Sequence, residues 1–433
     1  MKIIKKCFEW LFNNKFLVFA LIIFVFAFFL RAYQMDIKNP FGYDQVDNAW
    51  AAKNFIVNHK LPLVGMVAKA DSGVYIGPAY YYLATFFYWV FNLNPFASQI
   101  LSLLSGVFNL LVIYFVVREI SNKKVALIAV IINAFNFYAI IFDRIQWPVQ
   151  LLPAVSFLSF LFLYKVVLGN PKYLIPLAIA VGVAFNLHFT AIFLLLIILL
   201  SLPIFPKTKE TAKYILISLP LFLVWLVPNF LYMLVNKSSN AIAGSYFSSY
   251  YHGFHLRRML QLSGDAFIQF DQYIFFDYLK PLKFIIFPLF IFVYLYKSLS
   301  LNNKKFIYLL VLWFIVPWIV FTTYSGEISD YYFSVNKFIV LFILSYIIYL
   351  CWNIRFFLVK LLVAVLLTGY SLIGITTILQ YKDPGSFLIH EQNALQKVNI
   401  GERIEFAVGV PESYLYYYYM RQKGVEVYVS KTK

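Results

Sequence analysis

Long apolar runs are the feature that most constrains how this sequence can fold. An α-helix needs ~20 mainly apolar residues to cross a bilayer, and about eleven segments are long enough to do so. These segments cover residues 16–35, 97–117, 124–142, 148–167, 172–187, 189–205, 212–235, 281–297, 306–323, 336–352 and 356–379. Only 13% of the 433 residues are charged, whereas soluble domains carry about a quarter. The sequence therefore predicts an all-α polytopic membrane protein.

The distribution of basic residues predicts the orientation of these helices, because lysine and arginine are enriched in cytosolic loops. The same bias explains the net charge of +17 without any role in binding nucleic acid. Alternate connections carry Lys2/Lys5/Lys6/Lys15, Arg118/Lys123/Lys124, Lys165/Lys172, Lys207/Lys209/Lys213, Lys297/Lys304/Lys305 and Arg355/Lys360. We therefore expect a plasma-membrane protein with a cytosolic N-terminus, two long outer loops at 36–96 and 236–280, and an extracytoplasmic C-terminus.

Two further segments have a different character. Residues 79–92 are apolar and rich in tyrosine, but ~14 residues are short for a crossing, so we expect an interfacial helix there. Residues 381–433 follow a transmembrane domain of residues 1–380 and form a small soluble tail. Alternation at 404–410 and 425–429 predicts strands, and 412–422 is typical of a helix, so an α/β unit is expected outside the membrane.

Two carboxylates, Asp44 and Asp47, open the segment 41–58 in the first outer loop. A helix that begins here would carry both of them in its first turns and lie on the membrane surface. One interpretation is that they are catalytic. The other is a helix cap, with Asp44 at the N-cap and Asp47 at the third helical position. The local pattern leaves both interpretations open.

Most of the unusual polar groups fall on the predicted outer side, where ionisable residues near the membrane are functional by default. They are Asp44, Asp47, Lys69, Asp71, Asp143, Arg144, His188, Arg257, Arg258, Glu327 and Asp330. Each has a structural alternative. Asp143 and Arg144 could form a local pair, His188 could cap a turn, and the remaining residues could be ordinary solvated loop charges.

The order of these features resembles the membrane glycosyltransferases of the GT-C fold. It is similar to the group of families 39 and 83, the protein O-mannosyltransferases and aminoarabinose lipid A transferases. The resemblance covers roughly residues 10–340 and rests on the acidic outer loop, on Gly77-Pro78-Ala79-Tyr80-Tyr81-Tyr82-Leu83 and on Asp143-Arg144. It implies a GT-C bundle of about eleven transmembrane helices, with interfacial helices in the first outer loop.

The resemblance also implies a site, with two departures from the group's motifs. Asp44 takes the place of the first acid of an Asp-Glu pair, the catalytic base, but Gln45 replaces the second acid. The lysine of the group's Lys-Pro-Pro-Leu-Tyr-Tyr stretch is missing from Ile76-Gly77-Pro78-Ala79-Tyr80-Tyr81. Metal ligands therefore stay unknown, no cofactor is expected with certainty, and a divalent cation remains an open alternative.

The implied reaction moves a sugar from a polyprenyl-phosphate donor to a hydroxyl of an acceptor protein, lipid or glycan, with inversion. Asp44, Asp47 and Asp143 are the candidate catalytic residues. Candidate substrate-binding residues are Lys69, Tyr81, Tyr82, Arg144, His188, Arg257, Arg258, Glu327, Asp330 and Tyr331. Competing interpretations are a lipid or sugar transporter or flippase and a non-catalytic membrane assembly protein.

Overall fold

Helices make up the regular structure of this protein. The computed structural model describes residues 15–69, 72–274, 277–297, 300–400 and 409–425. The α-helices are α1 Lys15–Ala32, α2 Met35–Lys38, α3 Tyr43–Ile56, α4 Ala79–Val90, α5 Ala97–Ile120, α6 Lys123–Phe135, α7 Phe137–Arg144, α8 Leu152–Val167, α9 Leu174–Phe185, α10 Ile192–Ser201, α11 Lys209–Leu223, α12 Val227–Val235, α13 Lys237–Tyr250, α14 Leu256–Gln261, α15 Ile268–Asp271, α16 Lys283–Lys297, α17 Leu301–Phe321, α18 Lys337–Trp352, α19 Phe357–Gln380, α20 Phe387–Ile400 and α21 Pro411–Gln422. Short 3-10 helices include Pro148–Leu151, Phe189–Ala191 and Asp330–Asn336.

The predicted apolar segments fold as helices, and the chain is an integral membrane protein. Within the described residues, seven helical segments are long and apolar enough to cross a membrane: Ala97–Ile120, Pro148–Val167, Lys209–Val235, Leu279–Tyr296, Leu301–Phe321, Asp330–Trp352 and Phe357–Gln380. Helices α6 and α7, bent by 70°, would together make an eighth. Shorter apolar helices at Val18–Ala32, Pro171–Phe185 and Phe189–Ile204 occupy the other predicted spans. The number of eleven crossings therefore stays a prediction.

The helices separate into a buried centre and a lipid-facing periphery. Most of α5, α8, α17 and α18 is buried inside the bundle, whereas α11, α16 and α19 are almost entirely exposed. Exposed leucines on such helices cost nothing in a bilayer, because lipid tails are as apolar as they are. Polar groups in the centre find partners: Trp313 Nε1 donates to Ser156 Oγ at 3.0 Å. Ser156 Oγ in turn donates to the carbonyl of Val335 at 2.8 Å, which ties the 3-10 helix Asp330–Asn336 to the bundle.

The C-terminal tail packs on the loop that follows α1 through two helices, α20 and α21. The predicted helix at 412–422 is confirmed as α21, whereas α20 was not predicted. The predicted strands at 404–410 and 425–429 lie almost wholly outside the described residues. Phe387 of α20 packs edge-on against Phe41 with ring centroids 5.5 Å apart, within a core shared by the tail and the loop. The division of the chain at residue 380 stays a prediction.

Candidate active site

Helix α3 presents both loop carboxylates, and neither caps the helix. The N-cap is Gly42, whose N–H donates to Oε1 of Gln45 at 2.7 Å. The Gln45 Nε2 group donates to the carbonyl of Gln146 at 2.8 Å, which ties the first turn of α3 to the segment after α7. The capping interpretation of Asp44 and Asp47 is therefore wrong. The glutamine that departs from the Asp-Glu pattern performs the capping and leaves both carboxylates available for other contacts.

Asp44 is half-buried, and among the described residues its carboxylate has no hydrogen-bond partner. The pKa of Asp44 is raised from 3.8 to about 6, mainly by burial and secondly by the negative charge of Asp47. A carboxyl group with a pKa near neutrality is a better proton acceptor at physiological pH than an ordinary surface aspartate. Asp44 is thus poised to take a proton from a hydroxyl group.

Asp47 differs from Asp44 because it has a fixed partner. Its Oδ2 atom accepts a hydrogen bond from the hydroxyl group of Tyr81, on α4. Burial raises the pKa of Asp47, and the Tyr81 hydrogen bond partly offsets that rise. The exposed phenol of Tyr43 also lies within electrostatic reach of both carboxylates. Three residues of the first loop and one of α4 therefore converge on one point.

Aromatic and amide side chains form the wall beside Asp44. Tyr331 lies within electrostatic reach of both Asp44 and Glu327. Its ring is 5.0 Å from that of Trp147 and 5.6 Å from that of His188, centroid to centroid. Gln146 Nε2 donates to the hydroxyl of Tyr80 at 3.1 Å, and Tyr80 also lies near Asp44.

Sequence reasoning missed several of these wall residues, namely Tyr43, Tyr80, Gln146 and Trp147. Tyrosine and tryptophan at membrane borders are usually interfacial anchors, so composition alone does not single them out. Their one sequence signal is proximity in the chain, because each lies within four residues of Asp44, Tyr81 or Asp143.

Two cations from different loops donate to the segment that leads to Tyr331. Lys69 Nζ donates to the carbonyl of Glu327 at 3.2 Å, and Arg258 donates to the carbonyl of Gly326 at 3.0 Å. Arg257 is exposed, and together with Arg258 it borders a cavity of about 380 Å³ that is also lined by His252, His255, Gln261, Thr322, Thr323, Tyr324 and Ser325. Lys69 and Arg258 each keep N–H groups that the carbonyls of Glu327 and Gly326 do not use.

The structure places Asp143 and Arg144 in the protein interior, away from these side chains. Asp143 forms an ion pair with Arg31 of α1, with Oδ2 at 2.7 Å from Nη2 and 2.9 Å from Nε. Arg144 donates to Asn39 Oδ1 at 2.8 Å and to two main-chain carbonyls, of Leu30 and Tyr33, at 2.6 and 2.9 Å. They do not pair with each other, so the alternative of a local pair is wrong. Both side chains are almost completely buried, so neither is exposed to a substrate.

The other candidates have simpler surroundings. His188 is buried and caps the 3-10 helix Phe189–Ala191, with Nδ1 at 2.8 Å from Thr190 Oγ1, as its structural alternative predicted. The Tyr82 hydroxyl donates to the carbonyl of Pro62 at 2.7 Å. The side chains of Glu327 and Asp330 are exposed, and Asp71 lies outside the described residues.

The sequence left the ligands of a possible metal ion unknown. In the part of the chain that the structure describes, no group of three or more His, Cys, Asp or Glu side chains is placed to hold a metal ion. Asp44 and Asp47 alone supply fewer oxygen ligands than a tightly bound divalent cation takes.

The segment 76–82 is held in place by Asn186, at the break between α9 and the next short helix. The Asn186 Oδ1 atom accepts a hydrogen bond from the N–H of Ala79 at 3.1 Å, and its Nδ2 group donates to the carbonyl of Gly182 at 2.9 Å. Gly77 lies so close that a Cβ atom there would be 1.9 Å from Asn186 Oδ1. The glycine therefore lets the start of α4 dock and directs Tyr81 toward Asp47.

Replacing Gly77 should therefore disturb this docking. We expect Gly77→Ala to lower the free energy of unfolding by ~1–3 kcal/mol, the usual cost of overpacking, as measured by thermal unfolding of the purified protein. Gly244→Ala is the matched control, because a Cβ there meets no atom within 4 Å. Equal melting temperatures for the two variants would show that the docking of Gly77 is not tight.

Comparison with known proteins is consistent with this architecture. A family model described as dolichyl-phosphate-mannose-protein mannosyltransferase matches residues 76–232. No match was found among curated proteins. The structure of ArnT from Cupriavidus metallidurans bound to undecaprenyl phosphate has a TM-score of 0.54 and 13% identity, over 90% of this chain and 65% of that one.

Two further solved structures share the fold. The apo state of ArnT from Cupriavidus metallidurans gives a TM-score of 0.57 at 14% identity, over 96% of this chain and 85% of that one. The Archaeoglobus fulgidus oligosaccharyltransferase, tethered to an acceptor peptide, gives 0.54 at 14% identity, over 90% and 58%. The chain therefore shares the fold of these proteins, and the GT-C fold implied by the resemblance is confirmed.

Proposed function

We propose that this protein transfers a sugar from a polyprenyl-phosphate donor to a hydroxyl of an acceptor protein, lipid or glycan, outside the plasma membrane and with inversion. The GT-C fold, the match over residues 76–232 and the ArnT complex with undecaprenyl phosphate support this proposal. The observation that carries it is Asp44. Its half-buried carboxylate has a raised pKa and no hydrogen-bond partner among the described residues, beside a second carboxylate that has one.

The proposed reaction needs one proton acceptor and one leaving group. Asp44 takes the proton of the acceptor hydroxyl as the acceptor oxygen forms a bond to the anomeric carbon of the sugar. The bond from that carbon to the phosphate oxygen breaks, and polyprenyl phosphate departs with the electron pair. Because phosphate is a good leaving group, no general acid is required. A single displacement from the face opposite the phosphate inverts the anomeric centre.

The neighbouring groups have supporting roles in this proposal. Asp47, fixed by the hydrogen bond from Tyr81, accepts a hydrogen bond from a second hydroxyl of the acceptor and so orients the acceptor toward Asp44. Lys69 and Arg258, which lie at the segment beside Tyr331, bind the donor phosphate with the N–H groups that the carbonyls leave unused. Arg144 has no role in binding the donor in this proposal, because its hydrogen bonds join it to the main chain at the end of α1.

The proposal is tested by direct transfer. Purified protein is incubated with radiolabelled polyprenyl-phosphate-linked hexoses and pentoses, and with an envelope extract of a strain that lacks the gene as acceptor. Label should move to the extract, polyprenyl phosphate should be released, and Lys69→Met should raise the donor concentration needed for half-maximal rate. Absence of turnover with every donor, together with no polyprenyl-phosphate sugar accumulating in the deletion strain, would contradict the proposal.

The raised pKa of Asp44 predicts the pH dependence of transfer. The base is active as the carboxylate, so kcat/KM should fall as the pH drops through about 6. Asp47→Asn removes a negative charge that helps to raise the pKa of Asp44 while keeping an acceptor for Tyr81. The acid limb of the residual activity should therefore move to lower pH in that variant. An acid limb near pH 4 in the wild type, or one that Asp47→Asn leaves in place, would contradict the assignment.

A further inference from the structure

The C-terminal tail contacts α3 at Trp50. Trp50 of α3 lies between two tail tyrosines, with ring centroids 5.4 Å from Tyr414 and 5.2 Å from Tyr417. Its indole Nε1 donates to the hydroxyl of Ser413 at 3.1 Å. Trp50 is one helical turn beyond Asp47, so the tail fixes the rotation of the helix that carries both carboxylates.

A second contact reaches the site itself. Gly409, in the turn before α21, has a φ of +94°, a conformation that favours glycine. A Cβ atom at Gly409 would be 2.5 Å from the ring of Tyr43. The bare backbone of this turn therefore lies directly on the aromatic ring that precedes Asp44. The phenol of the same ring lies within electrostatic reach of Asp44 and Asp47.

We propose that the C-terminal tail is a positioning element of the site, which seats Tyr43 and the first turn of α3 through Gly409 and holds the helix through Trp50. The catalytic consequence rests on the proposed function, whereas the positioning itself does not. The tail follows the last helix of the transmembrane bundle, whereas α3 follows the first. The position of the carboxylates therefore depends on contacts between the two ends of the chain. Misplacement of a reacting group by ~1 Å can lower a rate ~100-fold, which gives such a contact functional weight.

Core stabilisation alone does not account for the contact between Gly409 and Tyr43. The Tyr43 side chain is 53% exposed, so the turn covers only part of its surface. The same side chain lies within electrostatic reach of both carboxylates. The backbone turn at Gly409 therefore touches a ring that stays partly exposed beside the proposed site.

Two glycines of the tail make a matched pair for testing this. Gly409 and Gly424 both have positive φ values, +94° and +74°, but a Cβ at Gly424 meets no atom within 4 Å. Alanine at either position therefore carries similar backbone strain, and only Gly409→Ala also displaces Tyr43. The readout is hydrogen–deuterium exchange of the amides of residues 46–50, the first of which, Val46, donates to the carbonyl of Gly42 at 3.1 Å.

We expect Gly409→Ala to speed exchange in residues 46–50 by about tenfold relative to the wild type, because the first turn opens more often. Gly424→Ala should leave that exchange unchanged. Equal exchange in the two variants would overturn the proposal. If Gly409→Ala lowers the yield of folded protein, Tyr43→Ala removes the ring instead of displacing it, and the same acceleration is expected there.

Transfer activity then tests whether the positioning matters for catalysis. Gly409→Ala should lower kcat by about tenfold or more with little change in KM for the donor, and should have no further effect when Tyr43→Ala is already present. Faster exchange with unchanged transfer would overturn the role in the site. If the wild type transfers no sugar, the proposed function fails, but the exchange experiment still decides whether the tail positions α3.

Discussion

Asp143→Asn is expected to prevent stable folding, with a loss of ~3–5 kcal/mol, the usual cost of removing one partner of a buried ion pair. Both residues of the Arg31–Asp143 pair are almost completely buried. Oδ1 of Asp143 accepts a further hydrogen bond from Asn109 at 2.8 Å. The pair therefore joins α1, α5 and α7 at the centre of the bundle.

The local packing makes this cost hard to avoid. A Cβ atom on Gly106 would be 2.9 Å from Cβ of Asp143 and 3.2 Å from Cδ of Arg31, so the pair already fills the space beside α5. The buried Nζ atom of Lys337 lies 3.6 Å from the ring centroid of Phe142, next to Asp143 in the chain. Loss of the Asp143 charge would leave the buried guanidinium of Arg31 without its anion.

Thermal unfolding of the purified variants measures this effect. Glu119→Gln is the control, because Glu119 and Lys165 form a partly exposed pair, for which ~0–1 kcal/mol is usual. The double variant Arg31→Met/Asp143→Leu should recover much of the stability, since it removes both charges together. A stable Asp143→Asn protein that transfers no sugar would instead return Asp143 to the catalytic residues, where the sequence had placed it.

Hydropathy and the pattern of the first loop could predict the framework of the site. Apolar runs specify membrane helices because an unpaired backbone is intolerable in lipid, and the predicted spans coincide with helices in the structure. The helix that begins near Asp44 was also predictable from its local pattern. The position of Tyr81 followed from the resemblance of its motif, and the structure brings Tyr81 to Asp47.

The roles of individual charged residues could not be predicted in the same way. Asp44 and Asp143 are both aspartates that follow a membrane span, but only the fold places Arg31 against Asp143 and leaves Asp44 without a partner. Likewise, the partners of Arg144 are carbonyls more than a hundred residues earlier in the chain. Such contacts depend on which helices meet, and a single sequence contains no direct signal for that.

Asp44→Asn should abolish transfer while leaving the protein folded. A positioned general base contributes ~10²–10⁴-fold to a rate, and the asparagine amide cannot accept the proton. Because Gly42 and Gln45 cap α3, the substitution removes no helix cap. The pKa of Asp44 is raised in the folded protein, so its ionisation destabilises the fold increasingly as the pH rises from 3.8 to about 6, and fully above that. The variant should therefore be as stable as the wild type at pH 7, or slightly more stable.

The control for Asp44→Asn is Asp36→Asn. Asp36 lies in the same loop and is exposed, so its replacement makes the same change of charge without touching the carboxylate pair. Wild-type turnover is expected for Asp36→Asn. This comparison separates loss of the base from a general effect of charge on binding an anionic donor.

The most direct test of the account is the turnover of purified Asp44→Asn with a labelled polyprenyl-phosphate sugar that the wild type uses. We expect a folded protein that binds the donor with wild-type affinity and transfers sugar at least ~100-fold more slowly. Near-normal turnover by that folded variant would contradict the assignment of Asp44 as the base.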